Sequence, residues 1–188
     1  MPAKFDPEKQ HRRSIRLKGY DYSQAGAYYV TIVTWQREHL FGEVINGEMI
    51  LNELGQIARS EWFKTAELRP YVELIDDEFV IMPNHGHGII WIADAGVGAV
   101  RRTAPTLMDT PFTMPEKQVA PGSLGAIVRA YKSAVTYAIN AARDTRGLPV
   151  WQRNYYEHVI RNEQDYQAKR DYILSNPANW GNDDENQM

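Results

Sequence analysis

The 188-residue chain is of one-domain size and, with 43% hydrophobic residues, has enough apolar side chain for a single core. It has no cysteine, which excludes disulfides and thiolate zinc sites and suits a reducing cytoplasm. The charged opening lacks a secretory apolar segment, and no run nears the roughly 18–20 apolar residues of a membrane span. The net charge of −3 averages over a segregated pattern: residues 1–20 carry six Lys/Arg against two Asp/Glu, residues 37–80 four against ten, and residues 126–170 eight against four. Basic ends around an acidic middle are compatible with a local phosphate-binding face.

In chain order, a basic arm (residues 1–26) leads into AYYVTIVTW, a run within residues 27–36 dense in Tyr, Val, Ile and Thr that reads as a strand. Leu54, Ile57, Ala58 and Trp62 then form one helical stripe. YVELIDDEFVIM reads as a second strand interrupted at Asp76-Asp77, Pro83-Asn84 as a turn, and HGHGIIWI as the next strand. Residues 94–121 contain four prolines and no period, the pattern of a long mobile insertion. A basic helix over 123–143 follows, with Leu124, Ile127, Val128, Tyr131, Val135 and Ile139 at helical spacing. VWQRNYYEHVIR is a short extended piece before a last helix, capped by Asn162 and stopped at Asn176-Pro177, and residues 181–188 make an acidic tail. Strand, helix, strand, strand, helix, strand is the order of an α+β ferredoxin-like sandwich, an antiparallel sheet with helices on one face, here with an added C-terminal helix. The whole chain reads as one domain.

The stretch FVIMPNHGHGIIWI places two polar imidazoles inside an apolar run. On a strand, His85 and His87 point to the same face from neighbouring positions, where they can hold a metal ion together. Gly86 and Gly88 point to the other face, where a bare backbone lets something pack closely. Two imidazoles leave a metal under-coordinated, so a third ligand must come from elsewhere. Tyr172 and Asn176, spaced i, i+4 on the last helix, share a face.

With these pieces in view, the sequence resembles the HUH single-strand transposases, and within them the REP-associated tyrosine transposases. The likeness runs from RSIRLKGYDYSQAGAYYVTIVTWQREHLFG through MPNHGHGIIWI to VWQRNYYEHVIRNEQDYQAKRDYILSNPANW. It implies that His85 and His87 bind a divalent metal, that Tyr172 is the nucleophile, and that Asn176 is the third metal ligand. Glu157 and His158 are rivals for that third place. One departure is Gly86, where the family carries a bulky apolar residue; the proline-containing insertion is another.

The implied reaction is metal-dependent cleavage and rejoining of single-stranded DNA at palindromic hairpins through a covalent phosphotyrosine. The implied cofactor is Mg²⁺ or Mn²⁺, nitrogen ligands favouring Mn²⁺. Arg12, Arg13, Arg16, Lys18, Arg129, Lys132, Arg153 and Arg161 are candidate phosphate contacts, and Tyr20, Tyr22, Tyr155 and Tyr156 candidate stacking partners for bases. The likeness further implies a cytoplasmic monomer or homodimer, with the Tyr172 helix docked on its own sheet or on a partner's. Two other classes stay open: a domesticated hairpin-binding protein without cleavage, and a small-molecule metalloenzyme built on the histidine pair.

Overall fold

The computed structural model describes residues 17, 19–93 and 122–186. Arg12, Arg13, Arg16, Lys18 and the insertion at 94–121 lie outside the described residues. Strand β1 (Gly26–Val33) is followed by a β2–β3 hairpin (Gly42–Ile45, Glu48–Leu51) and helix α1 (Glu53–Leu68). Short β4 (Val72–Glu73), β5 (Phe79–Met82) and β6 (His85–Ile92) come next, then α2 (Leu124–Ala142), β7 (Tyr156–Ile160) and α3 (Glu163–Ser175). The main sheet has β6 and β1 at its centre, β7 beside β1, and β4 and β5 sharing the far edge of β6; every pairing is antiparallel. This is the expected α+β ferredoxin-like arrangement.

Residue alternation along β1 divides the protein into layers. Tyr28, Val30 and Ile32 point to the face covered by α1 and α2, where they join Trp62, Ile127, Tyr131 and Val135 in the larger core. Ala27 and Tyr29 point to the opposite face, where Ile89, Trp91, Ile160 and Ile173 form a smaller core under α3. Asn52, Ser123 and Asn162 cap the three helices, each side chain accepting a backbone N–H of the first turn.

The segment read as one interrupted strand is two, β4 and β5, separated by a 3₁₀ turn at Asp76–Glu78 that contains the Asp76-Asp77 pair. The β2–β3 hairpin is an addition to the sequence reading. Its turn is Asn46-Gly47, both at positive φ, a dipeptide typical of two-residue hairpins. Behind the histidines, a Cβ at Gly88 would lie 2.5 Å from the Trp62 ring. Trp62 stacks on Phe79 with centroids 4.3 Å apart, so the missing side chain is the space the indole occupies. At Gly86, Ile81 and Phe79 fill the room a bulkier residue would take.

Candidate active site

Pro83-Asn84 is the two-residue turn between β5 and β6, so β6 opens directly on His85. Pairing with β1 sets His85 opposite Val33 and His87 opposite Thr31. Both imidazoles therefore point to the α3 face, and both are almost wholly buried, at 0% and 2% exposure. Their Nε2 atoms converge to 2.8 Å.

The outer nitrogens fix how the rings are used. Asn84 is buried and donates its amide nitrogen to the carbonyls of Arg37 and Glu185. Its oxygen is left to accept from His85 Nδ1, 2.8 Å away. The His85 proton therefore resides on Nδ1, and Nε2 presents a lone pair. His87 Nδ1 lies 2.7 Å from the Tyr29 hydroxyl and 2.9 Å from that of Thr31. Burial pushes both rings well below the ordinary histidine range. At His85 the Asp183 carboxylate works against this and Arg37 adds to it; at His87 the neighbouring His85 and the Lys169 ammonium add to it. Neutral imidazoles are the form that binds a metal, and at His85 the proton is turned away from the Nε2 side that the two rings share.

Helix α3 brings Tyr172 and Asn176 onto the same spot. The Tyr172 ring packs edge-on against His87 with centroids 5.1 Å apart, and the residue stays 43% exposed. Its hydroxyl donates to Asp183 Oδ2 at 3.3 Å. Asn176, buried at the end of the helix, donates its amide nitrogen to the same oxygen at 2.7 Å, which leaves the Asn176 carbonyl oxygen buried with no hydrogen-bond partner. Within the chain, α3 packs on the sheet through Ile173, which joins Ile89, Trp91 and Ile160.

Asp183 is the residue the sequence reading passed over. The segment around Asp183 and Glu185 lies against the site, with Arg37 paired to Glu185 at 2.5 Å and Glu185 N–H donating to Asp183 at 2.7 Å. His85, His87 and Asp183 offer ligand atoms all within 4.8 Å of one another, among the described residues the one group of three His, Asp or Glu side chains so placed. The set is compatible with metal binding, and the orphaned Asn176 oxygen is a further donor of the right kind beside it. The rivals Glu157 and His158 stand elsewhere. Glu157 lies opposite Val30 and so on the α1/α2 face, while His158 is bonded to the Asp165 carboxylate at 2.8 Å and tied to the start of α3.

A cleft of about 1300 Å³ runs from Tyr29, His87, Tyr172 and Asp183 along α2 and the approach to β7. Arg129 and Arg153 line it with exposed side chains, as does Tyr156. Lys132 also lines it but is committed, donating to the carbonyls of Gln152 and Arg153 at 2.6 and 3.0 Å, and burial pulls its ammonium down to about 8. Arg161 is exposed away from the cleft. Tyr155 is partly buried against the larger core, and Tyr20 and Tyr22 pack around Tyr28. Lys169 lies in the cleft beside Tyr172, and i, i+3 spacing on the helix was the signal for it.

No family model matches the chain. A protein of Haemophilus influenzae described as uncharacterized is 41% identical over 183 residues, 97% of each chain. The solved structure of a REP-associated tyrosine transposase bound to a REP hairpin has a similar fold, with a TM-score of 0.53 and 23% identity over 88% of this chain and 73% of that one. No described helix is long and apolar enough to cross a membrane.

Proposed function

We propose, for a chain that belongs to one family with the Haemophilus influenzae protein and has the fold of a REP-associated tyrosine transposase, that it cleaves and rejoins single-stranded DNA at palindromic hairpins. Tyr172 is the nucleophile, and the observation that carries the reading is its place: on α3, against His87, lining a cleft that Arg129 and Arg153 also line. The phenolic oxygen attacks a backbone phosphorus, the bond to the 3′ oxygen breaks, and the strand end stays on the enzyme as a phosphotyrosine. The diester bond is conserved in this exchange, so a second 3′-hydroxyl reverses the step without ATP.

His85 and His87 would hold a divalent ion, with oxygen from Asn176, Asp183 or both; the unpartnered Asn176 oxygen is the feature that fits the residues to that role. Such an ion, Mn²⁺ or more weakly Mg²⁺, would polarise the phosphoryl oxygens. The protein's own part is positional. Asn84 and Tyr29 orient the imidazoles, α3 presents the phenol, and Arg129 and Arg153 face the backbone phosphates.

The test is covalent trapping. Wild-type protein incubated with Mn²⁺ and a labelled single-stranded oligonucleotide carrying a palindrome from the flank of its own gene should give a protein–DNA band on a denaturing gel. Tyr172→Phe should give none. A band that persists in the variant assigns the nucleophile elsewhere, and no band in the wild type removes the cleavage reading.

A further inference from the structure

Lys169 precedes Tyr172 by three residues on α3, so the two side chains leave the helix on one face, and both line the cleft that ends at His87. Its ammonium stands over the Tyr29 ring, 5.1 Å from the centroid. The same Tyr29 bonds His87 Nδ1 through its hydroxyl, so the aromatic platform that orients a histidine also holds the cation on the histidine side of the helix. Of the other cations on the α3 side, Arg37 pairs with Glu185 and Arg170 with Asp77, while Arg129 and Arg153 line the cleft from α2 and from the approach to β7. Among the described residues Lys169 has no carboxylate within ion-pair distance, and the one its charge acts on, Asp165, is held by His158 and the Arg161 N–H. A half-buried ammonium, steadied by a ring face beside a nucleophile and in no direct ion pair, is arranged to meet an anion that arrives with the substrate.

We propose that Lys169 is a catalytic residue that binds a non-bridging oxygen of the scissile phosphate. The inference rests on the cleavage reading above. As the Tyr172 oxygen–phosphorus bond forms and the phosphorus–O3′ bond breaks, negative charge gathers on the non-bridging oxygens, and an ammonium fixed beforehand stabilises it without reorganisation. The phenolic proton leaves to solvent and the departing 3′ oxygen takes one up. Lys169 keeps its protons throughout and acts by charge alone.

The experiment compares wild type, Lys169→Gln and Lys169→Arg in three measurements: Mn²⁺ binding by paramagnetic resonance, inorganic phosphate binding by calorimetry with and without Mn²⁺, and the rate of covalent adduct formation with the hairpin oligonucleotide. Lys169→Gln should weaken phosphate binding about tenfold or more and slow adduct formation about 100-fold, while Lys169→Arg keeps most of both. Mn²⁺ binding to the DNA-free Lys169→Gln protein should be unchanged or tighter, because a nearby positive charge has been removed; a merely structural lysine would weaken it. Phosphate binding that is the same in Lys169→Gln, or absent in the wild type, overturns the proposal. A wild type that binds phosphate through Lys169 but forms no adduct overturns the cleavage reading and leaves Lys169 an anion site.

Discussion

The Asn84 side-chain oxygen lies 2.8 Å from His85 Nδ1, and the Asn84 nitrogen is held by the Arg37 and Glu185 carbonyls. One turn residue thus decides which nitrogen of His85 carries the proton. A histidine freed of such a partner can rotate and change tautomer, at a typical cost of about 10–100-fold in metal affinity. Asn84→Ala should lower Mn²⁺ affinity by about that factor while leaving the helical circular dichroism unchanged. Equal affinity in variant and wild type would show that packing alone orients the ring.

The pairing of Asn176 with Asp183 makes a second, directional prediction. Asn176→Asp would place two carboxylates against each other in a buried site, where like charges destabilise. The variant should melt about 2–4 °C lower without metal for each ~1 kcal/mol of repulsion, and Mn²⁺ should raise its melting temperature more than that of the wild type. An equal Mn²⁺-induced rise in both proteins would mean the cation does not sit between these oxygens.

The depressed histidines set a pH window. His85 is pushed down to about 4 by burial, with Asp183 opposing and Arg37 assisting, and His87 is lowered by burial and by His85. In the unfolded chain both titrate near their ordinary value of about 6.5. Between those limits the unfolded state binds more protons, so the stability these groups contribute is present above about 6.5 and is lost as pH falls toward 4. The slope is at most about 1.4 kcal/mol per pH unit for each ring. Urea unfolding between pH 7 and pH 4.5 should show it, and His85→Gln/His87→Gln should flatten it. An identical acid slope in the double variant would place the acid sensitivity in other groups.

Much of the site was legible because it is local. The HxH spacing, the Pro-Asn turn and the i, i+4 relation of Tyr172 to Asn176 are short-range patterns, and strand or helix geometry alone turns each into a shared face. The glycines were legible as close-approach positions, though not that Trp62 is what approaches Gly88. What sequence spacing left out is long-range. Asp183 is bonded locally to Tyr172 and Asn176, but the segment that carries it is also held against the histidines by Asn84 and Arg37, contacts that span about a hundred residues or more along the chain. Lys132 read as a surface cation because its charge is visible in the sequence, whereas the two carbonyls that engage it are set by how the approach to β7 crosses α2.

The hold of the sheet on the nucleophile helix depends on Glu78. Ile173 is the one α3 residue that is buried, so apolar burial alone anchors the helix weakly. Glu78, 1% exposed in the 3₁₀ turn before β5, accepts from Trp91 Nε1 on β6 and from the Tyr166 hydroxyl on α3, each at 2.6 Å. One carboxylate thus joins sheet to helix, and Arg170 with Asp77 at 2.9 Å adds an exposed pair beside it. Trp91 can only donate, whereas the Tyr166 hydroxyl can also accept, so Glu78→Gln keeps its carbonyl on Trp91, turns its amide N–H to the Tyr166 oxygen, and exchanges two hydrogen bonds to a carboxylate for two neutral ones. The exchange should cost about 1 kcal/mol, since hydrogen bonds to a charged acceptor are stronger than neutral ones. Removing the exposed Arg170 pair by Arg170→Gln should cost at most about 1 kcal/mol. Hydrogen exchange locates the effect: in Glu78→Gln the amides of α3 should lose protection while those of α2 keep theirs, and the covalent adduct should form more slowly with Mn²⁺ affinity unchanged. Protection lost evenly across the protein would make Glu78 a general stability residue; full protection of α3 would mean that Ile173 and the Asn176–Asp183 contact hold the helix by themselves.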